Sequence, residues 1–192
     1  MLTRSDGLPN EEIIHKLTGQ ILQLKKEKKQ VILVSSGAVA AGRSMFQTSK
    51  KLHTVEQRQL LSSIGQVKLM NLYTRYFQEQ NQLCAQVLVT KQDFKDRHHY
   101  LNMQNCLNAL LLNDVIPIVN ENDVISITEL MFTDNDELAG LISLMMNVGH
   151  LYILTNVDGI YDGNPSDVNS KVIAEYDEEV HSLNGMTTTI KS

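Results

Sequence analysis

Residues 31–38 read Val31-Ile32-Leu33-Val34-Ser35-Ser36-Gly37-Ala38, a short continuous apolar run that ends in a turn of small residues. Four consecutive aliphatic residues are typical of a strand that is covered on both faces, as in a parallel sheet. The residues that follow the turn read as a helix. The stretch therefore predicts one strand–turn–helix unit of an open α/β sheet.

The same alternation continues on both sides of this unit. Helical patterns cover residues 10–29, 55–80, 98–112 and about 134–148, the last stopping at Gly149, and strand patterns cover 87–89, 115–119 and 151–154, with a β-like stretch at 124–132. Pro117 is unwelcome in the middle of a sheet, which predicts irregular hydrogen bonding there or a strand near an edge. Strands that alternate with helices predict an open, mainly parallel sheet between layers of helices.

The composition is that of an ordinary globular chain. Its 192 residues are 42% hydrophobic and 20% charged, with a formal net charge of −5, which fits one domain over residues 1–192. The basic run at 25–29 is short and ends a helical pattern, so neither a nucleic-acid nor a membrane partner is indicated. Cys84 and Cys106 lie in apolar segments, which predicts buried free thiols in a reducing compartment. With no signal peptide and no apolar run of bilayer length, a cytoplasmic protein is expected.

Four polar clusters follow predicted strands or open helices. They are Ser36-Gly37-Ala38, Asn120-Glu121-Asn122-Asp123, Asp134-Asn135-Asp136 and the stretch 155–162 that begins Thr155-Asn156. Ligands of open α/β sheets bind at the carboxyl ends of the strands. The first cluster suits a phosphate or carboxylate, although an ordinary tight turn explains it about equally well.

The other clusters also have functional and structural interpretations. Amides and carboxylates at 120–123 can hold an amino acid, and a solvated turn is the alternative. Helix capping explains one residue of 134–136, whereas two close carboxylates could coordinate Mg²⁺ or fix a lysine. Thr155 and Asn156 end a predicted strand where a nucleotide could rest, or form a plain turn. His98 and His99 point in different directions on a helix, so no histidine metal site is predicted.

Several of these motifs, in order and spacing, resemble glutamate 5-kinases of the amino acid kinase family. The resemblance is carried by residues 34–43, Ile64-Gly65-Gln66, 86–90, 118–123, 134–136 and 155–165. It covers roughly residues 8–180. The combination of the 34–43 turn with the 120–123 cluster is fairly specific to glutamate kinases, whereas 155–165 is generic to the larger family.

The resemblance implies a fold, an activity and a set of site residues. The fold would be a three-layer α/β/α sandwich, and the activity ATP-dependent phosphorylation of the L-glutamate side chain with Mg²⁺, opening proline synthesis. L-Glutamate would be held by Ser36, Gly37, Asn120, Asp123 and Asn135. The nucleotide would meet Thr155, Asn156 and Lys191, and Asp134 and Asp136 would be catalytic, Asp136 by organising lysines. Proline as feedback inhibitor and a dimeric or tetrameric homo-oligomer are also implied.

The implied reaction is an in-line attack by the glutamate γ-carboxylate, which is already a nucleophile and needs no general base. Catalysis then consists of positioning and of neutralising charge on the transferring phosphoryl group. The family's first strand and its Lys-Gly-Ser/Thr-like turn would precede Met1, and Thr189 stands where a Met-x-Thr-Lys motif has its lysine. Its final strands and helices are also absent. An incomplete domain with weakened phosphoryl transfer is therefore expected.

Three other functions are open. Another amino acid kinase would act on acetylglutamate, aspartate, carbamate or UMP, and a non-catalytic binding protein could use the same fold. A metal hydrolase would use Asp123, Asp134 and Asp136 but has no supporting histidine spacing, so it ranks last. The kinase hypothesis requires Ser36, Asp123 and Asn135 to meet at one rim of the sheet.

Overall fold

The structure is a computed structural model that describes residues 2, 4, 6, 8–46, 53–126, 132, 134–155, 158–164, 167 and 170–175. It divides into two compact units, Met1–Tyr152 and Ile153–Ser192. All helices and paired strands named below belong to the first unit. The second unit contains an antiparallel bridge between Tyr161 and Val172.

The first unit alternates helices with short parallel strands. In chain order the elements are α1 (Glu11–Lys26), β1 (Leu33–Val34), α2 (Ala38–Arg43), α3 (Thr54–Gln78), β2 (Cys84–Val89), a 3₁₀ turn (Lys91–Phe94), α4 (Arg97–Leu112), β3 (Ile116–Glu121) and α5 (Asn135–Met146). The predicted helices are therefore confirmed to within a few residues at each end. None of the helices in the described part of the chain has the length and apolar content needed to cross a membrane.

Local chemistry explains where the helices begin. The Asn10 side chain accepts a hydrogen bond from the Ile13 N–H, and acidic residues occupy the first turn of α1. Asp96 accepts from the first N–H groups of α4 in the same way. These side chains satisfy backbone donors that have no partner within the helix, and negative charge suits the positive end of the helix dipole.

The sheet has the strand order β1-β3-β2, and all its pairs are parallel. The central position of β3 excludes the edge position, one of the two alternatives that Pro117 predicted, and leaves the irregular hydrogen bonding. The two pairs that join β3 to β1 begin at Ile118, one residue after the proline, while Pro117 itself lies opposite Ala85 of β2. The short pairing with β1 therefore starts where the missing N–H no longer matters.

Two predicted strands do not form where the structure describes them. Residues 151–154 have no strand pairing and their side chains are exposed, because an apolar run without a neighbouring strand has no partner for its backbone groups. Residues 123–125 form a turn with Val124 and Ile125 exposed, and 127–131 lie outside the described residues. Helix α5 ends at Met146, before Gly149, and the residue that follows it, Asn147, has a left-handed conformation with φ 48°.

Two apolar cores lie on opposite faces of the sheet. Ile116 and Ile118 of β3 pack with α1, α2 and α3, whereas Val119 packs with α4 and α5. Because successive strand residues point to opposite faces, one strand serves both cores. This arrangement confirms the α/β/α layering. Cys84 is half-buried, but Cys106 is exposed on α4, contrary to expectation, because it lies away from the face that carries the buried Met103 and Leu107.

Candidate functional site

The carboxyl ends of the three strands lie at one edge of the sheet. Val34 is level with Val119, and Val89 with Glu121. The backbone continues this alignment, since the Ser35 N–H donates to the Val119 carbonyl at 2.9 Å and the Asn122 N–H donates to the Val89 carbonyl at 2.7 Å. The first two polar clusters predicted from the sequence therefore leave the sheet side by side.

The turn after β1 is anchored by a buried hydrogen bond. The Ser35 hydroxyl lies 2.8 Å from the Tyr73 hydroxyl of α3, and both residues are fully buried. Burial raises the pKa of Tyr73 to about 12, against the opposing effect of the bond to Ser35, so the phenol stays neutral. Gly37 has φ 111°, a conformation that favours glycine. The next residue after the anchor, Ser36, is consequently held at the surface.

Asn120 joins the second cluster to the third. This residue is buried, and its side-chain oxygen accepts hydrogen bonds from the Glu121 N–H at 2.9 Å and from the Asn135 amide nitrogen at 3.4 Å. The first residue of α5 therefore meets the end of β3. Two amides that are 15 positions apart in sequence are thereby brought into contact.

Asp123 is paired with a cation that sequence reasoning did not assign to the site. Arg58, in the first turns of α3, donates to the Asp123 carboxylate at 2.8 Å, and its Nη2 lies 3.4 Å from the carboxylate of Glu121. Glu121 is buried and accepts a further hydrogen bond from the Phe132 N–H at 3.3 Å. A basic residue early in a helix is common, so the sequence held no signal for this contact; it depends on how α3 packs against the end of β3.

The third cluster begins α5. The Asp134 carboxylate caps the helix by accepting from the N–H groups of Asp136 and Glu137 at 3.0 and 2.9 Å. Desolvation of the Asp136 carboxyl, and then the negative charge of Asp134, raise the pKa of Asp136. The ionised form of such a carboxylate is stabilised by a nearby cation, whether a lysine or a metal ion.

Replacing Asp134 tests this electrostatic coupling. Asn is as good a cap as Asp but carries no charge, so in Asp134→Asn we expect the pKa of Asp136 to fall toward its ordinary value. Because folding raises the pKa of Asp136 in the parent, the free energy of unfolding falls as the pH rises from the ordinary pKa of this carboxyl through its raised pKa. Over the same pH range, the Asp134→Asn variant should lose less stability. Carboxyl-carbon NMR titration reads the pKa, and urea unfolding at several pH values reads the stability.

Asp134→Ala is the matched control. It also removes the charge, but it deletes the cap, which should cost about 1 kcal/mol of stability. An unchanged pKa of Asp136 in Asp134→Asn would show that the two carboxylates are not coupled.

Of the three residues that the sequence predicts to contact the nucleotide, the structure describes one. Thr155 belongs to the second unit, whereas Asn156 and Lys191 lie outside the described residues. In the second unit, the Lys171 N–H donates to the Asp162 carboxylate at 2.7 Å, next to the bridge between Tyr161 and Val172. The described residues contain no group of three or more histidine, cysteine or acidic side chains suited to hold a metal ion, so the three acids of the hydrolase alternative do not form such a centre.

At this edge of the sheet, Ser36 follows β1 and Asp123 follows β3, and Asn120 at the end of β3 contacts Asn135 of α5. These residues supply a hydroxyl, a carboxylate and two amides. Hydroxyl and amide groups can donate hydrogen bonds to a carboxylate, and a carboxylate can pair with an ammonium group. This combination is chemically suited to a small zwitterion such as an amino acid.

Comparison with known proteins identifies the family of the chain. The model of the amino acid kinase family matches residues 3–189. The chain is 54% identical over 175 residues to the glutamate 5-kinase of Bacteroides thetaiotaomicron, covering 91% of this chain and 49% of the relative. It is 50% identical over 169 residues to that of Chlorobaculum tepidum, covering 86% and 47%. The chain thus spans about half the length of these relatives. On its sequence and its fold, the chain belongs to the amino acid kinase family.

Proposed function

We propose that the protein is a glutamate 5-kinase, which transfers the γ-phosphoryl group of ATP to the γ-carboxylate of L-glutamate and forms γ-glutamyl phosphate, the first step of proline biosynthesis. The observation that carries this proposal is the contact between Asn120 and Asn135 at 3.4 Å, which unites two polar clusters beside the turn of Ser36. The names of the relatives, at up to 54% identity, support the choice of glutamate among the substrates of the family.

The proposed glutamate site uses the groups at the sheet edge. Asp123 pairs with the α-ammonium group, and the amides of Asn120 and Asn135 donate hydrogen bonds to the α-carboxylate. Ser36 and the backbone at Gly37 supply further donors. Charge-assisted hydrogen bonds of this kind are short and directional, so they fix the orientation of the ligand and leave its γ-carboxylate free to attack.

The chemical step requires positive charge around the transferring phosphoryl group. Thr155, Asn156 and Lys191 are the proposed nucleotide contacts. Asp134 and Asp136 fit Mg²⁺ because they offer two oxygen ligands, the number that Mg²⁺ commonly takes from protein when phosphates supply the rest. When bound, Mg²⁺ neutralises charge on the phosphate oxygens. The raised pKa of Asp136 is consistent with a carboxylate that binds a cation in the working enzyme.

The proposal extends to the biological setting of the enzyme. A cytoplasmic homo-oligomer, dimeric or tetrameric, that is inhibited by proline is the form implied by the likeness to glutamate 5-kinases. The acidic net charge of −5 is compatible with a protein whose partners are small metabolites rather than nucleic acids.

Trapping of the acyl phosphate tests the proposed activity. The full chain is incubated with ATP, Mg²⁺ and hydroxylamine, and L-glutamate is compared with N-acetyl-L-glutamate, L-aspartate and carbamate, while UMP is assayed by UDP formation. We expect a hydroxamate from L-glutamate alone. Product from another acceptor would assign a different member of the family. Calorimetric binding of L-glutamate without turnover would instead favour the non-catalytic binding protein.

A further inference from the structure

We propose that Arg58 is a positioning residue of the amino acid site, which orients Asp123 and makes the site prefer an amino acid to a plain dicarboxylate. This inference rests on the proposed function, because it assumes that Asp123 meets the ligand's ammonium group. Its basis is the bridge that Arg58 makes between α3 and the segment after β3.

The bridge joins one cation to two shielded carboxylates. The side chains of Glu121 and Asp123 are 6% and 10% exposed, whereas that of Arg58 is 45% exposed. Both carboxylates lie within 3.4 Å of the same nitrogen, Arg58 Nη2. The guanidinium therefore offsets the repulsion between two shielded carboxylates that lie close to each other.

The charges of this group leave one negative charge without a partner. Two carboxylates oppose one guanidinium, so the ammonium group of an amino acid would balance the charge of these three side chains. Arg58 contacts only Oδ1 of Asp123, and Oδ2 has no hydrogen-bond partner among the residues that the structure describes. The arrangement therefore leaves one carboxylate oxygen, with its charge, to face the ligand.

A second contact holds the same segment against α3, because the Gln59 amide donates to the Val124 carbonyl at 2.9 Å. Within the segment itself, the Ser126 hydroxyl donates to the Asn122 carbonyl at 2.8 Å. Loss of the Arg58 guanidinium should consequently alter the orientation of Asp123 without releasing the turn. Without Arg58, Asp123 loses the charged partner that fixes its orientation, and a carboxylate free to rotate is a poorer partner for an ammonium group.

The test compares two ligands that differ in the ammonium group. Calorimetry on the full chain measures the Kd of L-glutamate and of glutarate, which has the same two carboxylates. For Arg58→Gln we expect the affinity for L-glutamate to fall about tenfold or more and that for glutarate to change about twofold at most, because only the former uses a charged hydrogen bond to Asp123. Arg58→Lys, which keeps the charge, should stay within about threefold of the parent's preference.

Arg75→Gln is the matched control, because Arg75 lies on the same helix and pairs with exposed Glu11 at 3.2 Å; it should leave both affinities unchanged. Equal losses of affinity for both ligands in Arg58→Gln would indicate a merely structural residue, and unchanged affinities would indicate no role; either result overturns the inference.

If circular dichroism shows that Arg58→Gln is unfolded, Arg58→Met repeats the comparison with the apolar part of the side chain retained. A parent chain that binds no L-glutamate overturns the proposed function itself, and this outcome is distinguished because it precedes any substitution.

Discussion

Gly65→Ala is expected to destabilise the fold by at least about 3 kcal/mol, because it inserts a methyl group between two helix backbones. A Cβ at Gly65 would lie 1.7 Å from the Ala38 carbonyl oxygen and 2.4 Å from the Gly42 nitrogen. The contact is reciprocal, since a Cβ at Gly42 would lie 1.9 Å from the Leu61 carbonyl oxygen. All of these are backbone atoms, so the clash can be relieved only by separating α2 from α3.

Urea unfolding followed by circular dichroism measures this effect, and the chain offers a matched control. Gly140 lies within α5, and a Cβ there would meet nothing within 4 Å. Gly140→Ala should therefore stabilise the protein by about 0.5–1 kcal/mol, the ordinary helical advantage of alanine. If Gly65→Ala proved as stable as Gly140→Ala, the close contact between α2 and α3 would be refuted.

The packing of α2 against α3 also affects the candidate site. Ser35 is anchored to Tyr73 of α3, and a Cβ at Gly37 would lie 3.8 Å from Leu69 of the same helix. The turn that presents Ser36 is therefore supported by α3 at several points. Any variant of Gly65 that remains folded should bind L-glutamate more weakly, since α2 and the turn before it would be displaced together.

Asp123→Asn is expected to weaken the binding of L-glutamate about 100-fold, because removing one member of a shielded charge pair costs about 2–5 kcal/mol. The substitution preserves the size of the side chain but removes the charge that would meet the ammonium group. It also leaves Arg58 without its 2.8 Å partner. Calorimetric titration of L-glutamate and glutarate measures the loss, and glutarate binding should change about threefold at most, since glutarate has no ammonium group.

Asp114→Asn provides the control for Asp123→Asn. Asp114 precedes β3, at the end of the strand opposite to the candidate site, and pairs with Lys25 of α1. Its substitution should leave the affinity for both ligands unchanged. A parent-like affinity of Asp123→Asn for L-glutamate would show that the ammonium group is held elsewhere, and the proposed ligand orientation would have to be reversed or abandoned.

Much of the fold could be predicted because its signals are local. The periodicity of apolar residues located the helices, and the apolar run at 31–34 indicated a parallel strand. Local signals failed at 151–154, where an apolar run of the same kind has no strand pairing. A strand requires a partner, and the presence of a partner cannot be inferred from the run itself.

For the candidate site, residue types and spacing identified the polar clusters, and placed the first two correctly at the carboxyl ends of strands. The contact of Asn120 with Asn135 and the pairing of Asp123 with Arg58 were decided only by tertiary structure. The members of these pairs lie 15 and 65 positions apart. Hydrogen bonds and ion pairs act over a few ångströms, so between distant residues they form only after the helices have packed on the sheet.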